Sequence, residues 1–497
     1  MSTLYLILTF LIIIVTLLVY WVKNLYSYWE RRGIPHDSPS FPVGNMGGDT
    51  GKEELWFGEA FDRIYQKYRH QGPFAGLYFF INKAIITTDL NLVQDVLVKD
   101  FNNFVDRGRY YNEKDDPLTA HLFSLSGQKW RNLRQKVSPT FSSGKMKFMF
   151  PTIVEVSKGL SETMKNRLEK DSNVEIRDLM SRYTTDVIGS VAFGIDVNTM
   201  GGQNETFLQM GKRSFNDSRH PQFIEGFIQL FPNAAKKLRM KLIPDDVHEF
   251  FTTLVRDTIH LRENGNIQRN DFLNLLLELR KNKDTHLTFE EIAAQAFLFF
   301  GAGYDTSANT ISYCLYELAQ NQEIQDQLRK EIIDTLNKHN GELSYESIKD
   351  MVYLDKVSKE TSRKYSIVPF LIRVCENDYK IRDTNLVIEK DTFVIIPITS
   401  IQKDPEYYPE PEKFDPERFS EEDIQSRHPC AYLPFGDGPR ICIGMRFARM
   451  QTAIALITLL REFKFSVGSK TEIPITYDKE NIFLVPLKGL HVKVERI

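Results

Sequence analysis

The run of apolar and polar positions divides the chain into an apolar head, a proline-spaced connector and a long body. Residues 1–22 carry no charge, and nineteen of them coiled as a helix reach about 28 Å, the depth of a bilayer core. A transmembrane signal anchor over 1–22 is therefore expected. Gly33, Pro35, Pro39, Pro42 and Gly44 punctuate the next stretch and predict a stiff, non-helical hinge over 23–45. Strand signals at 74–77 and 84–87 form a pair. From there to about residue 364, apolar residues recur at three- and four-residue spacing, the period of helices packed on one face; 271–279 is one such stretch. Strand signals return at 379–381, 386–388 and 393–396, and again at the C-terminus. The pattern predicts a mainly α fold with a smaller antiparallel β region.

One predicted helix stands out by length. Thr288-Phe289-Glu290-Glu291 is a capping box, and the helix it opens runs to about Gln320, about 48 Å and long enough to cross a domain. Gly301 and Gly303 fall at its middle, each costing about 1 kcal/mol of helix stability against alanine. Either a bound group approaches closely there with a local kink, or another helix crosses closely.

Composition narrows the classes. There are 63 basic and 66 acidic side chains, a net charge of −3, so no nucleic-acid partner is expected. No linker, repeat or low-complexity tract divides the interior, so 46–497 reads as a single domain. The four cysteines, Cys314, Cys375, Cys430 and Cys442, are widely spaced, which argues against a zinc site or a disulfide framework and fits reduced thiols facing the cytosol. Lys23, Arg31 and Arg32 follow the apolar head and would stay cytoplasmic, with Trp21, Tyr26, Tyr28 and Trp29 as an interfacial belt. No basic segment precedes the head and no small-residue cleavage site follows it, which disfavours a cleaved signal peptide.

The strongest chemical signal is Phe435-Gly436-Asp437-Gly438-Pro439-Arg440-Ile441-Cys442-Ile443-Gly444. A lone cysteine in a Gly/Pro turn is ordinarily structural. This run fits F-x-x-G-x-x-x-C-x-G and so resembles the cysteine loop of the cytochrome P450 family. The resemblance implies haem b with the Cys442 thiolate as axial iron ligand, a ligand that favours oxygen–oxygen bond cleavage. Phe435 would cover the sulfur, Gly438 would let backbone N–H groups approach the charge, and Gly444 would leave room for the macrocycle. A helix starting just after Cys442 would favour the thiolate.

Other motifs follow in the family's order. Ala302-Gly303-Tyr304-Asp305-Thr306 resembles its oxygen-activation motif, with Thr306 beside the iron and Asp305 as proton relay. Glu360-Thr361-Ser362-Arg363 is its E-x-x-R and Pro416-Glu417-Arg418-Phe419 its P-E-R-F, which implies a buried structural triad of Glu360, Arg363 and Arg418 locking the cysteine loop. Trp130, Arg134, Arg373 and Arg440 match the haem propionate contacts. Phe123, Phe297, Phe300, Ala302, Val368, Phe370 and Phe483 fall where the family lines its substrate pocket, and all are apolar. Ser362 and Ser366 depart from the family pattern and are expected to loosen the helix end.

Segments such as Ile34-Pro35-His36 and Ser426-Arg427-His428-Pro429 look most like insect microsomal members that metabolise xenobiotics. The resemblance implies a monooxygenase of the endoplasmic reticulum membrane, with its catalytic domain on the cytosolic face. NADPH electrons would arrive through NADPH–cytochrome P450 reductase, with cytochrome b5 as a further donor. Lipophilic xenobiotics, insecticides, plant toxins or insect hormones would be substrates. Two alternatives are a thiolate-haem isomerase or dehydratase, which needs no reductase, and a non-catalytic haem binder. Around residues 223–231, six large apolar residues in nine make either a core helix or a patch that dips into lipid.

Overall fold

The computed structural model describes residues 2–46, 56–265, 271–282 and 286–497. The apolar head is the helix Ser2–Tyr26, four residues longer than its predicted end at 22. Its large side chains from Leu4 to Trp21 are exposed, so nothing in the body covers it. The connector is less free than the prolines suggested. It makes one 3-10 turn, Glu30–Arg32, and then docks on the body through bridges from His36 to Gly76 and from Gly44 to Phe79. Trp29 is a correction to the expected interfacial belt. It is 3% exposed, and its indole N–H donates to the Leu77 carbonyl at 3.0 Å. A buried indole with a satisfied N–H is a packing anchor, and it fixes where the anchor helix leaves the body.

Among the described residues nine strands form: β1 (Phe74–Phe79), β2 (Asn82–Thr87), β3 (Asn173–Glu175), β4 (Leu371–Val374), β5 (Tyr379–Lys380), β6 (Val387–Ile388), β7 (Phe393–Ile396), β8 (Phe463–Ser466) and β9 (His491–Arg496). The main sheet has order β1-β2-β7-β4. Every pairing is antiparallel except β2 with β7, where Ile85 sits opposite Val394. That parallel joint spans most of the chain, so no local signal announced it. Smaller antiparallel groups, β3-β9-β8 and β5-β6, complete the sheet content.

The rest is helical around the long central helix Phe289–Gln320, with the Thr288–Glu291 capping box formed as expected. Residues on almost all its faces are buried, which explains its apolar composition. At its middle the helix Ile176–Ile188 crosses it. A Cβ on Gly303 would lie 2.5 Å from the Ile188 Cδ1 atom, so this glycine serves the close helix crossing, and the helix is continuous there. Among the described residues two large apolar cores result, with a small third cluster of Tyr110, Ile228 and Ala235. One surrounds the central helix and the C-terminal helix Met445–Leu460, and the other lies against the main sheet. The cysteine loop joins them: Leu433 belongs to the sheet core and Phe447 to the helical core.

Candidate active site

Cys442 lies in the segment between the 3-10 turn Gly438–Arg440 and the helix Met445–Leu460. Its own N–H donates to the Phe435 carbonyl at 2.9 Å, which closes the loop. Alone among the four free cysteines it is accessible, yet it is deep enough for burial to push its thiol up. Depth with accessibility means that the sulfur faces an interior cavity. The Gly444 N–H and the charges of Arg107 and Arg134 oppose that push and favour the thiolate. Cys314, Cys375 and Cys430 are buried, and each thiol is pushed up to about 12.

Gly438 has a different task from the one read in the sequence. Its N–H donates to Asp437 Oδ1 at 2.7 Å and does not point at the sulfur. Its φ is +68°, and a Cβ there would overlap the Leu97 carbonyl. The residue is glycine because the cysteine loop presses backbone against backbone.

A cluster of guanidinium groups rings the same cavity. Arg134 donates to the Ile441 carbonyl at 2.9 Å. Arg440 donates to the Leu125 carbonyl at 2.7 Å and lies 4.2 Å from the Trp130 ring centre. Burial and the charge of Arg373 push Arg440 down to about 9, and burial pushes Arg373 down to about 10. Both retain a buried Nε with no hydrogen-bond partner. Arg107, which sequence reasoning missed, joins them. It donates to the Phe123 and Arg440 carbonyls at 3.2 and 3.3 Å, and its charge acts on Cys442. Gathering desolvated like charges is unfavourable unless an anion offsets it. A haem fits this donor set: a thiol held by N–H and cationic neighbours to take the iron, and orphaned guanidinium N–H groups to take the propionates.

On the central helix, Ala302 is exposed and Thr306 partly so, although Gly301, Tyr304, Asp305 and Ser307 around them are buried. This is the helix face turned to the cavity. The Thr306 hydroxyl donates to the Ala302 carbonyl at 2.7 Å. Asp305 points elsewhere, as helix geometry requires of a neighbouring residue. It is 7% exposed and accepts from Arg177 Nη2 at 3.1 Å, while Arg177 Nε donates to Asn309 Oδ1 at 2.7 Å. Burial holds the Asp305 carboxyl above the usual range, and Arg177 pulls against it.

The charge triad is formed. Arg363 makes a bidentate pair with Glu360 at 2.7 and 2.8 Å, both fully buried, and Arg418 Nε lies 3.6 Å from Glu360. Glu360 also accepts the Asp415 N–H at 2.9 Å. The link onward to the cysteine loop is Gln402, a residue that nothing in one sequence marks. Its Nε2 donates to the Ser362 and Arg363 carbonyls and to the Ser366 hydroxyl at 2.8–3.1 Å, and its Oε1 accepts the Leu433 N–H at 2.8 Å. Ser366 is therefore a fitted part of the lock, and the Ser362 hydroxyl donates back to the Ser358 carbonyl. The expected loosening is not seen.

The pocket residues divide. Phe123 is 42% exposed, Val368 and Phe483 are partly buried, and Phe297 packs near His121 with ring centres 6.3 Å apart. Phe300 does not line the cavity. Phe300 is fully buried among Phe193, Phe207, Phe251 and Tyr304, and Phe370 packs edge to face on Phe61 in the sheet core.

A helical body with a minority of sheet, and a cysteine thiol near buried guanidinium groups of which Arg373 and Arg440 keep an unpartnered Nε, fit the haem-thiolate class. The chain matches the Cytochrome P450 family over residues 43–494, belongs to that family and is a monooxygenase by it. It is 48% identical to "Cytochrome P450 6a2" of Drosophila melanogaster over 98% of this chain and 99% of that protein. It is 44% identical to "Cytochrome P450 6A1" of Musca domestica over 98% and 97%. It is 45% identical to "Probable cytochrome P450 6a14" of Drosophila melanogaster over 95% and 96%. The family carries haem with a cysteine thiolate ligand and uses O2, with NADPH electrons delivered through a reductase.

Proposed function

We propose that this chain inserts one oxygen atom of O2 into lipophilic small molecules, with Cys442 as the haem ligand. The carrying observation is Cys442 Sγ, deep yet accessible, beside guanidinium groups whose buried Nε atoms lack partners. Trp130, Arg134, Arg373 and Arg440 hold the propionates, joined by Arg107. Bound haem supplies O2 binding and reductive activation. The protein's own part is to position and to move protons. Thr306, on the accessible helix face, presents its hydroxyl to the cavity. Asp305, kept above the usual carboxyl range by burial, exchanges protons behind it, and Arg177 sets how readily it does so. Phe123, Phe297, Val368 and Phe483 exclude water from the apolar part of a substrate.

NADPH–cytochrome P450 reductase is the electron donor, with cytochrome b5 as a further one. The exposed apolar helix Ser2–Tyr26 anchors residues 46–497 to the endoplasmic reticulum membrane on its cytosolic face. The helix Gln222–Leu230 supports a second contact: Ile228 is buried, while Phe223, Phe231 and the nearby Leu238 are 77, 46 and 66% exposed. The test is reconstitution with reductase, NADPH and isotopically labelled O2. One labelled oxygen per product molecule is expected. Turnover that needs neither NADPH nor O2 would replace this reading with an isomerase or dehydratase.

A further inference from the structure

The helix Asp245–Gly265 presents two different faces. One packs inward: the buried Phe251 ring meets Phe297 and Phe300 of the central helix, with ring centres 5.1 Å apart in both pairs. Another face, together with residues 193–195, lines a surface groove of about 560 Å³. That volume lies within the roughly 300–1,000 Å³ usual for small-molecule sites. The groove is separate from the site of Cys442, because its lining includes no residue of the cysteine loop, of the guanidinium cluster or of the aromatic set assigned to the substrate pocket.

Its walls are largely apolar. Phe250, Leu254 and Leu261 come from the helix, with Phe193 and Ile195 opposite, and Leu261 is 65% exposed. Its free charge is all of one sign. Arg262 is the one cation among the described lining residues, and it is spent: it pairs with the buried Asp271 at 2.6 and 2.8 Å and donates to the Phe193 carbonyl at 2.7 Å. Glu249 and Asp257 also line the groove, both exposed, and neither carboxylate has a hydrogen bond or ion pair among the described residues. The acids that open the same helix are different. Asp245 pairs with Arg219 at 2.7 Å and Asp246 pairs with Arg213. Arg256, the other arginine of this helix, lies over the Phe289 ring at 5.6 Å and does not line the groove.

Glu249 and Asp257 are eight residues apart, about 12 Å along the helix, so a charge midway between them is about 6 Å from each. The partly buried Phe250 ring lies alongside, and an aromatic face also attracts a cation. We propose that this groove is a second, peripheral binding site, and that its ligands are lipophilic cations: protonated amines or quaternary ammonium ions with an apolar portion. The apolar portion lies on Leu254 and Leu261, and the cationic centre stands over Thr253 between the two carboxylates.

The test is equilibrium dialysis of the purified full-length holoenzyme at low ionic strength, with the haem iron saturated by 1-phenylimidazole. The probes are benzyltriethylammonium, which has no lone pair to offer the iron, and the anion 4-butylbenzenesulfonate. One bound cation per protein is expected, with the anion excluded. Glu249→Gln with Asp257→Asn should weaken cation binding about tenfold, the worth of two charges about 6 Å away at the dielectric constant of water. Thr253→Trp places an indole in the groove and should abolish it. No bound cation, equal uptake of cation and anion, or cation binding that persists at full strength in the doubly neutralised variant or in Thr253→Trp overturns the site. The reduced carbon monoxide spectrum shows that each variant is folded; if Thr253→Trp fails that check, the neutralised pair alone decides.

Discussion

Gln402→Met replaces a fully buried amide by a side chain of similar volume that can neither donate to the helix end nor accept from the cysteine loop. About three hydrogen bonds are lost: the two N–H of Nε2, shared among the Ser362 and Arg363 carbonyls and the Ser366 hydroxyl, and the one Oε1 accepts from the Leu433 N–H. At about 1 kcal/mol each, with the Leu433 N–H left dry in the sheet core, the cost comes to about 3–5 kcal/mol. Unfolding entropy of about 2 cal/mol/K per residue over a chain this long converts that into a midpoint shift of roughly 3–5 °C. The location of the damage discriminates better than its size. Leu433 leads directly into Phe435, whose carbonyl accepts the Cys442 N–H at 2.9 Å. In a urea series the thiolate-type carbon monoxide spectrum of Gln402→Met should therefore collapse before far-ultraviolet ellipticity falls, while the two coincide in the unaltered protein. A variant with unchanged midpoint and coincident transitions would refute Gln402 as the link between the charge triad and the cysteine loop.

Proton delivery makes a pH prediction. The Asp305 carboxyl is raised, so its proton-bearing fraction falls as pH rises through that raised value, and the yield of product per NADPH should fall with it. Arg177→Leu removes the opposing cation, raises the carboxyl further and moves the fall to higher pH; Asp305→Asn lowers coupling at every pH, and an Arg177→Leu profile identical to the parent would contradict the relay. Gly438→Ala puts a Cβ into the Leu97 carbonyl at a positive φ, so more than about 3 kcal/mol of strain and little haem incorporation are expected, measured as haem per protein after purification. Deleting residues 2–26 should leave a protein that still sediments with lipid vesicles, and Phe223→Asp with Phe231→Asp should release it; full release by the deletion alone would show that the second patch does not hold lipid.

Much of this site was readable because its signals are local. The capping box at Thr288, the three-residue spacing of Glu360 and Arg363 and the ten-residue cysteine loop each satisfy their chemistry within one or two turns of chain. What escaped depends on distant partners. Arg107 and His121 sit in a segment without regular spacing, and only the fold brings them beside Arg440 and Phe297. Gln402 looks like any polar residue until Leu433 and Ser366 arrive on either side of it. The parallel β2–β7 joint and the burial of Trp29 against β1 are likewise long-range pairings. Phe300 was assigned to the pocket by position along the chain, but packing among Phe193, Phe207, Phe251 and Tyr304 buries it fully. Gly303 shows the converse, since the bland explanation of a close helix crossing was the one the fold uses.

We propose that the accessible thiol among the four cysteines is the haem ligand. Reduced carbon monoxide spectra of Cys314→Ala, Cys375→Ala, Cys430→Ala and Cys442→Ala test it directly. The first three thiols are buried and pushed up to about 12, so their loss should leave the thiolate-type band in place. Cys442→Ala should abolish that band while far-ultraviolet ellipticity shows the protein still folded. A thiolate-type band that survives Cys442→Ala, or that disappears with any one of the other three in a folded protein, would contradict the account.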